Sequence, residues 1–217
     1  MKTSFLSFCM VASSLFLFTH CKKDDSSPSN TAAVNYSPLT VGSSWTYNYT
    51  EGTSPTTTFT STVTDKDTAV NGKTYKVLSS SDDSGNRYLA KVDSNYYRFA
   101  SFAGIGSFEE LYLKDNRPVN STWTNTVTFT IPGSPIPLSA NLVYLVKEKG
   151  IAYDVNGKQY KDVIHISVDI NLLGSSIGGG DFYYAQGIGL IENQIAVTAP
   201  GQSAYITKQQ LISYVIK

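Results

Sequence analysis

Along most of this chain, apolar and polar residues exchange places at every step. In residues 44–50, Trp45, Tyr47 and Tyr49 fall on one side and Ser44, Thr46, Asn48 and Thr50 on the other. In residues 126–131, Val127, Phe129 and Ile131 alternate with three threonines. In residues 163–170, Ile164, Ile166, Val168 and Ile170 alternate with Val163, His165, Ser167 and Asp169. A period of two sends successive side chains to opposite faces of a strand, so each segment offers one face to a core. No ten-residue window has a convincing helical period, and the chain reads as all-β.

The turn residues agree. Asn71-Gly72 and Asn156-Gly157 are flanked by strand-like residues, and both positions of such a pair tolerate the positive φ of a two-residue hairpin. Gly85-Asn86, Asp115-Asn116 and Pro200-Gly201 mark further turns. The spacing predicts antiparallel strands throughout. Three fragments recur in order. Val41-Gly-Ser-Ser-Trp-Thr returns as Val119-Asn-Ser-Thr-Trp-Thr, and Val70-Asn-Gly-Lys-Thr-Tyr-Lys as Val155-Asn-Gly-Lys-Gln-Tyr-Lys. Tyr88-Leu-Ala-Lys is echoed by Tyr183-Tyr-Ala-Gln. The repetition predicts two pseudo-repeated β-meander units side by side in one sheet. No linker divides them, so residues 36–217 read as one antiparallel β domain.

The N-terminus has a different composition. Lys2 precedes an uncharged run from Phe5 to Phe18, too short for the roughly 20 apolar residues of a bilayer span. A basic residue before a short apolar segment reads as an export signal, here residues 1–20. Residues 22–35 are mostly Lys, Asp, Ser, Pro and Asn, a composition expected to stay disordered. Residues 21–35, from Cys21 onward, thus read as a tether between the leader and the β domain.

The lipid follows from resemblance. The leader ending at Cys21 resembles a bacterial lipoprotein signal, although His20 and Phe18 depart from the usual small residue and leucine. The resemblance implies that Cys21 becomes the acylated first residue, carrying fatty chains of the palmitate type. Cys21-Lys22-Lys23-Asp24-Asp25 resembles the Cys-x-Lys-Asp-Asp signal that sends lipoproteins of Bacteroidota-type bacteria to the outer face of the outer membrane. The address implied is a lipid anchor in the outer membrane facing the exterior, with the periplasmic face as alternative. Anchoring becomes stable with about two chains, each buried CH₂ contributing about 0.8 kcal/mol.

A second resemblance covers most of residues 36–217. Pro38-Leu-Thr-Val-Gly-Ser-Ser-Trp-Thr-Tyr47 and Tyr184-Ala-Gln-Gly-Ile-Gly-Leu-Ile191 are similar to the opening and the late motif of small outer-membrane-associated β lipoproteins. This family brings no activity with it. It implies a strongly curved antiparallel sheet, an open half-barrel or meander, like that of periplasmic lipoprotein carriers.

The chain has 17 basic and 17 acidic side chains. That balance gives no electrostatic footprint for nucleic acid and argues against a polybasic lipid-surface binder. Cys9 leaves with the leader and Cys21 takes the lipid, so stability must come from the core. Gly174-Ser-Ser-Ile-Gly178 matches the string of a nucleophile elbow, but three consecutive glycines oppose the required helix and no histidine follows; it reads as a flexible loop. His165, Ser167 and Asp169 share one strand face about 6.5–7 Å apart, too parallel for a relay, and read as the polar side of a half-exposed strand. Once the leader and its His20 are removed, His165 is the one histidine left, and with no free thiol it leaves no metal set. Asp82-Asp83-Ser84-Gly85-Asn86 reads as a turn rather than a calcium loop. No cofactor motif is present.

Trp45 and Trp123 begin repeated strands and are assigned to the core. The pairs Tyr96-Tyr97 and Tyr183-Tyr184 place one ring on each face of their strands, and these four are the candidate ligand-facing aromatics. Asp67-Thr68-Ala69 resembles a bacterial O-glycosylation acceptor, with Thr68 as the site. The leading expectation is a non-catalytic surface lipoprotein acting as a binding or accessory module, its partners the membrane and a glycan, lipid or envelope-protein ligand. The alternative is a carrier of lipid or another hydrophobic ligand on a concave face. A glycan hydrolase would need two of Glu109, Glu110, Glu148 and Glu192 paired across a cleft, about 5–9.5 Å apart, and no spacing supports that.

Overall fold

The structure, a computed structural model, describes residues 34–82, 84–102, 106–129, 137–198 and 203–217. Residues 1–33, with Cys21, Lys22, Lys23, Asp24 and Asp25, lie outside the described residues, as does the Pro200-Gly201 turn. Twelve strands follow one another: β1 (Ser44–Glu51), β2 (Thr57–Val70), β3 (Lys73–Ser80), β4 (Arg87–Val92), β5 (Asn95–Phe102), β6 (Gly106–Lys114), β7 (Thr122–Phe129), β8 (Leu138–Val155), β9 (Lys158–Leu172), β10 (Ser175–Ala185), β11 (Gly189–Val197) and β12 (Tyr205–Val215). No helix occurs among the described residues.

All twelve belong to one sheet in the order β6-β5-β4-β3-β2-β1-β12-β11-β10-β9-β8-β7. Every ladder is antiparallel. The two edges, β6 and β7, come round to face each other, so the sheet is a nearly closed barrel with one seam. The expected curved sheet is present, and its curvature carries it past a half-barrel.

The repeat seen in the sequence is visible in the backbone. Strands β1–β6 form one six-stranded meander and β7–β12 the other, joined through β1 and β12. The Ser43 N–H donates to the Thr40 carbonyl, and the Ser121 N–H donates to the Pro118 carbonyl. Gly42 and Asn120 both have positive φ, 84° and 68°. Gly42 and Ser43 exchange bonds with Val63, as Asn120 and Ser121 do with Val146. The hairpin turns Asn71-Gly72 and Asn156-Gly157 also match, with φ of 50° and 74° in the first and 52° and 78° in the second.

The seam is the pseudo-equivalent of the β1–β12 junction, but side chains replace the ladder. Asn125 of β7 accepts from the Leu111 N–H at 3.1 Å and donates to the Glu109 carbonyl at 3.2 Å. The Trp123 indole N–H donates to the Leu111 carbonyl at 2.9 Å. Backbone groups of the β6 edge that would otherwise recruit another strand are thereby occupied.

One end of the barrel is closed by the segment before β1. Tyr36 is buried, and its N–H donates to the Tyr96 hydroxyl at 3.1 Å. Tyr96 in turn donates to Asp115 at 2.6 Å, and the Gly187 N–H donates to the Asn35 carbonyl. On the outside, the β8–β9 hairpin bends at three register shifts between Val146 and Tyr153. Its turn reaches β12, where Asn156 donates to the Leu211 carbonyl at 3.1 Å and Lys158 lies over the Tyr214 ring.

The flexible loop expected at Gly174–Gly178 is instead a turn at Gly174 followed by the start of β10, and Gly178–Gly180 lie within that strand. A Cβ on any of the three would come closer than 3.0 Å to a backbone carbonyl oxygen: Ala196 for Gly178, Val168 for Gly179, Gln194 for Gly180. Glycine here permits a tight bend with neighbouring backbones in close approach, a use of strand glycine in curved sheets. The absence of helix was read correctly, and flexibility was wrongly inferred from it.

Candidate functional site

Inside the barrel, on the side of β1–β6 and β10–β12, is a cavity of about 510 Å³. That volume lies in the range of small-molecule sites. Tyr36 and Ser37 floor it at the closed end, and exposed Ser84 and Asn86 of the β3–β4 connection border it. Its walls are mostly aromatic and aliphatic, including Trp45, Tyr47, Tyr184, Leu190 and Ile195. These residues converge because each occupies the inward phase of its strand, with Tyr47 opposite Phe59 and Tyr184 opposite Leu190.

Two arginines share this apolar lumen. Arg98 is neutralised: its Nε donates to Glu110 Oε2 at 3.0 Å, and Nη2 reaches the same oxygen. Tyr144 donates to the other Glu110 oxygen. The Glu110 charge, acting against the cost of burial, holds the Arg98 guanidinium above its usual range. Arg98 still keeps 42% of its side-chain surface accessible, and that surface adjoins the cavity.

Arg87 is placed differently. It lies 4.6 Å over the Phe59 ring, and it makes no ion pair among the described residues. Burial lowers its guanidinium below the usual range, with Tyr47 and Asp82 opposing. Arginine nevertheless stays charged in proteins, so the lumen holds a cation to which no carboxylate is bonded among the described residues, Asp82 acting on it only from a distance. Burial also pushes the hydroxyls of Tyr47, Tyr112 and Tyr184 upward, Tyr112 to about 12. They are neutral at physiological pH.

Two more polar side chains line the same space. Ser61 is 3% exposed and Gln209 7% exposed, and neither Ser61 Oγ nor Gln209 Nε2 has a hydrogen-bond partner among the described residues. A buried polar atom left this way costs about 1–3 kcal/mol, so a native fold retains few of them.

Of the four candidate tyrosines, the structure brings only Tyr184 to the cavity. Tyr96 is fully buried and spends its hydroxyl on Asp115 and the Tyr36 N–H. It does not face a ligand, because the incoming N-terminal segment covers it. Tyr97 and Tyr183 are half-buried on the outer face. Lys73 lies 4.5 Å from the Tyr97 ring centre, and Tyr183 stacks on Tyr153 at 3.8 Å and on His165 at 4.2 Å. Thr68 lies half-buried in β2. Trp45 and Trp123 are both buried. Trp45 also bounds the cavity, and its indole donates to the Ile188 carbonyl at 2.6 Å.

His165 is buried rather than half-exposed, because Glu148 and Asp181 flank it at 2.9 and 2.7 Å and Tyr183 covers its ring. The glutamates are dispersed. Glu110 points into the barrel, whereas Glu109 is engaged by Lys73 and Tyr75. Burial raises the Glu109 carboxyl, but those bonds and the Lys73 charge outweigh it and hold it below the ordinary range. Glu192 accepts from Tyr153 and Gln210. Asp82 is occupied by Ser80 and Ser84 within its own turn.

Sequence reading missed Arg87, Arg98, Ser61 and Gln209. A signal existed: Arg87 is in phase with Leu89, and Arg98 with Tyr96 and Ala100. An arginine on the apolar phase of a strand must either pair inside or serve a cavity.

The fold and cavity define the chain as a twelve-stranded antiparallel barrel with a partly polar lumen. A solved structure from Parabacteroides distasonis ATCC 8503, described as a "putative lipoprotein", is similar over 84% of this chain and 99% of its own, with 10% identity and a TM-score of 0.50. Another, from Bacteroides fragilis NCTC 9343, is described as a "putative exported protein with YmcC-like fold". It covers 82% of this chain and 97% of its own at 11% identity, with a TM-score of 0.42. No family model matches the chain, and no curated protein matches it. At such identity the first likeness speaks for the fold alone.

Proposed function

We propose that this protein is a non-catalytic envelope lipoprotein that holds a small, largely apolar ligand inside its barrel. The cavity carries this reading: its apolar walls surround an arginine with no ion-pair partner, and two buried polar groups with no hydrogen-bond partner, among the described residues. Such a lumen would be an expensive way merely to fill a core. The carrier-like reading is therefore preferred to an accessory surface module, for which the outer face offers half-buried, mutually stacked aromatics.

The proposed address is the outer membrane, through acyl chains on Cys21 and the signal Lys22–Asp25. The description of the Parabacteroides distasonis neighbour as a lipoprotein fits that address. Native mass spectrometry of the full chain, released from its envelope in mild detergent, is the test. The expected spectrum contains a non-covalent adduct that collisional activation strips away. A chain that carries only its covalent lipid, in every preparation, would overturn the reading.

A further inference from the structure

We propose that the lumen is selective for an amphiphile with a single anionic head, a carboxylate or phosphate, and that Arg87 receives this head. The inference rests on the lumen being a ligand site and adds the chemical class of what enters it.

The charges inside the cavity do not cancel. Arg98 and Arg87 both line it, and among the described residues only Arg98 of the two has a carboxylate bonded to it, Glu110. Glu110 has both oxygens engaged, one by Arg98 and the other by Tyr144. A neutral ligand would leave Arg87 with the Phe59 ring, a contact of about 0.5–2 kcal/mol, and the more distant charge of Asp82. A cationic ligand would meet two guanidiniums. An anion meets a planar donor fork matched to carboxylate and phosphate.

The unbonded groups fit the same occupant. Gln209 Nε2 is a donor, and the Ser61 hydroxyl can donate. Both therefore serve an acceptor-rich head better than a second cation. Ser61 is two residues from Phe59 on the inward phase of β2, so it flanks the ring that Arg87 covers. Leu190, Ile195, Trp45 and Tyr184 supply the apolar surface for the rest of the molecule.

The test is titration of the full chain, in phosphatidylcholine nanodiscs, with octanoate, octyl phosphate, 1-octanol and octyltrimethylammonium, read from Trp45 emission. Nanodiscs without protein and a Trp45→Phe variant correct for partition into the bilayer. Octanoate or octyl phosphate should bind about tenfold or more tightly than 1-octanol, and the cation should bind least. Comparing the two anions tells carboxylate from phosphate. In Arg87→Gln the anion preference should collapse, with octanoate falling to the affinity of 1-octanol; Arg87→Lys should keep part of it. Equal binding of octanoate and 1-octanol in the wild type would overturn the anion inference and leave the ligand site standing. Binding of none of the four would remove both.

Discussion

Gly179→Ala should destabilise the barrel by about 4 kcal/mol or more, a loss reserved for a short list of mechanisms. The new methyl would be driven against the Val168 carbonyl of β9 at a separation real Cβ atoms essentially never show. Rotamer change offers no relief, because a Cβ has none and its neighbour is backbone. Either β9 and β10 separate, losing ladder bonds, or β10 straightens and the curvature is lost. For a chain of this size the effect corresponds to a fall in Tm of about 8–16 °C. Gly72→Ala is the control: its Cβ meets nothing within 4 Å, and only its φ of 74° resists, which should cost about 1 kcal/mol. A Gly179→Ala melting point matching that of Gly72→Ala would show that β10 can take a side chain at this bend.

Glu110→Ala should cost about 3 kcal/mol. Glu110 is 4% exposed and serves both Arg98 and Tyr144. Its removal strands a guanidinium and a hydroxyl in an apolar barrel, and breaking such a buried pair costs about 3–5 kcal/mol. The low end applies because Arg98 keeps an accessible face on the cavity. Much of the loss is the penalty of the orphaned charge rather than the worth of the pair, so Glu110→Leu with Arg98→Met should recover more than half of it. Chemical denaturation of the single and double variants measures the cycle. A double variant less stable than either single one would mean that the pair itself, not its orphaned half, supports the fold.

Much of the architecture was legible in the sequence because it is set by local rules. Alternation fixed which residues of β1 and β9 face inward, and Asn-Gly placed two of the hairpins. The duplicated Val-x-Ser-x-Trp-Thr announced two meanders, and the matching bonds of Val63 and Val146 show why it recurs: the same turn must deliver the same strand.

What stayed hidden depends on distant parts of the chain. Closure depends on whether β6 and β7 meet, and the residues joining them, Asn125 and Trp123, look like any strand residues until Leu111 stands opposite. Tyr96 seemed available because its burial depends on Tyr36, sixty residues earlier in the chain. His165 seemed half-exposed because Glu148 and Asp181 come from strands on either side. The lumen was hidden for the same reason. Arg87, Ser61 and Gln209 lie on β4, β2 and β12, and a site exists only when the sheet has curled far enough to face itself.

A crystal structure of the chain purified from the envelope of the cell that makes it would test that enclosed site most directly. The account predicts continuous density for one small molecule in the lumen, its charged end within hydrogen-bonding distance of Arg87 and its body against Trp45 and Tyr184. Discrete water molecules bonded to Arg87, Ser61 and Gln209, with no other density between the walls, would contradict it.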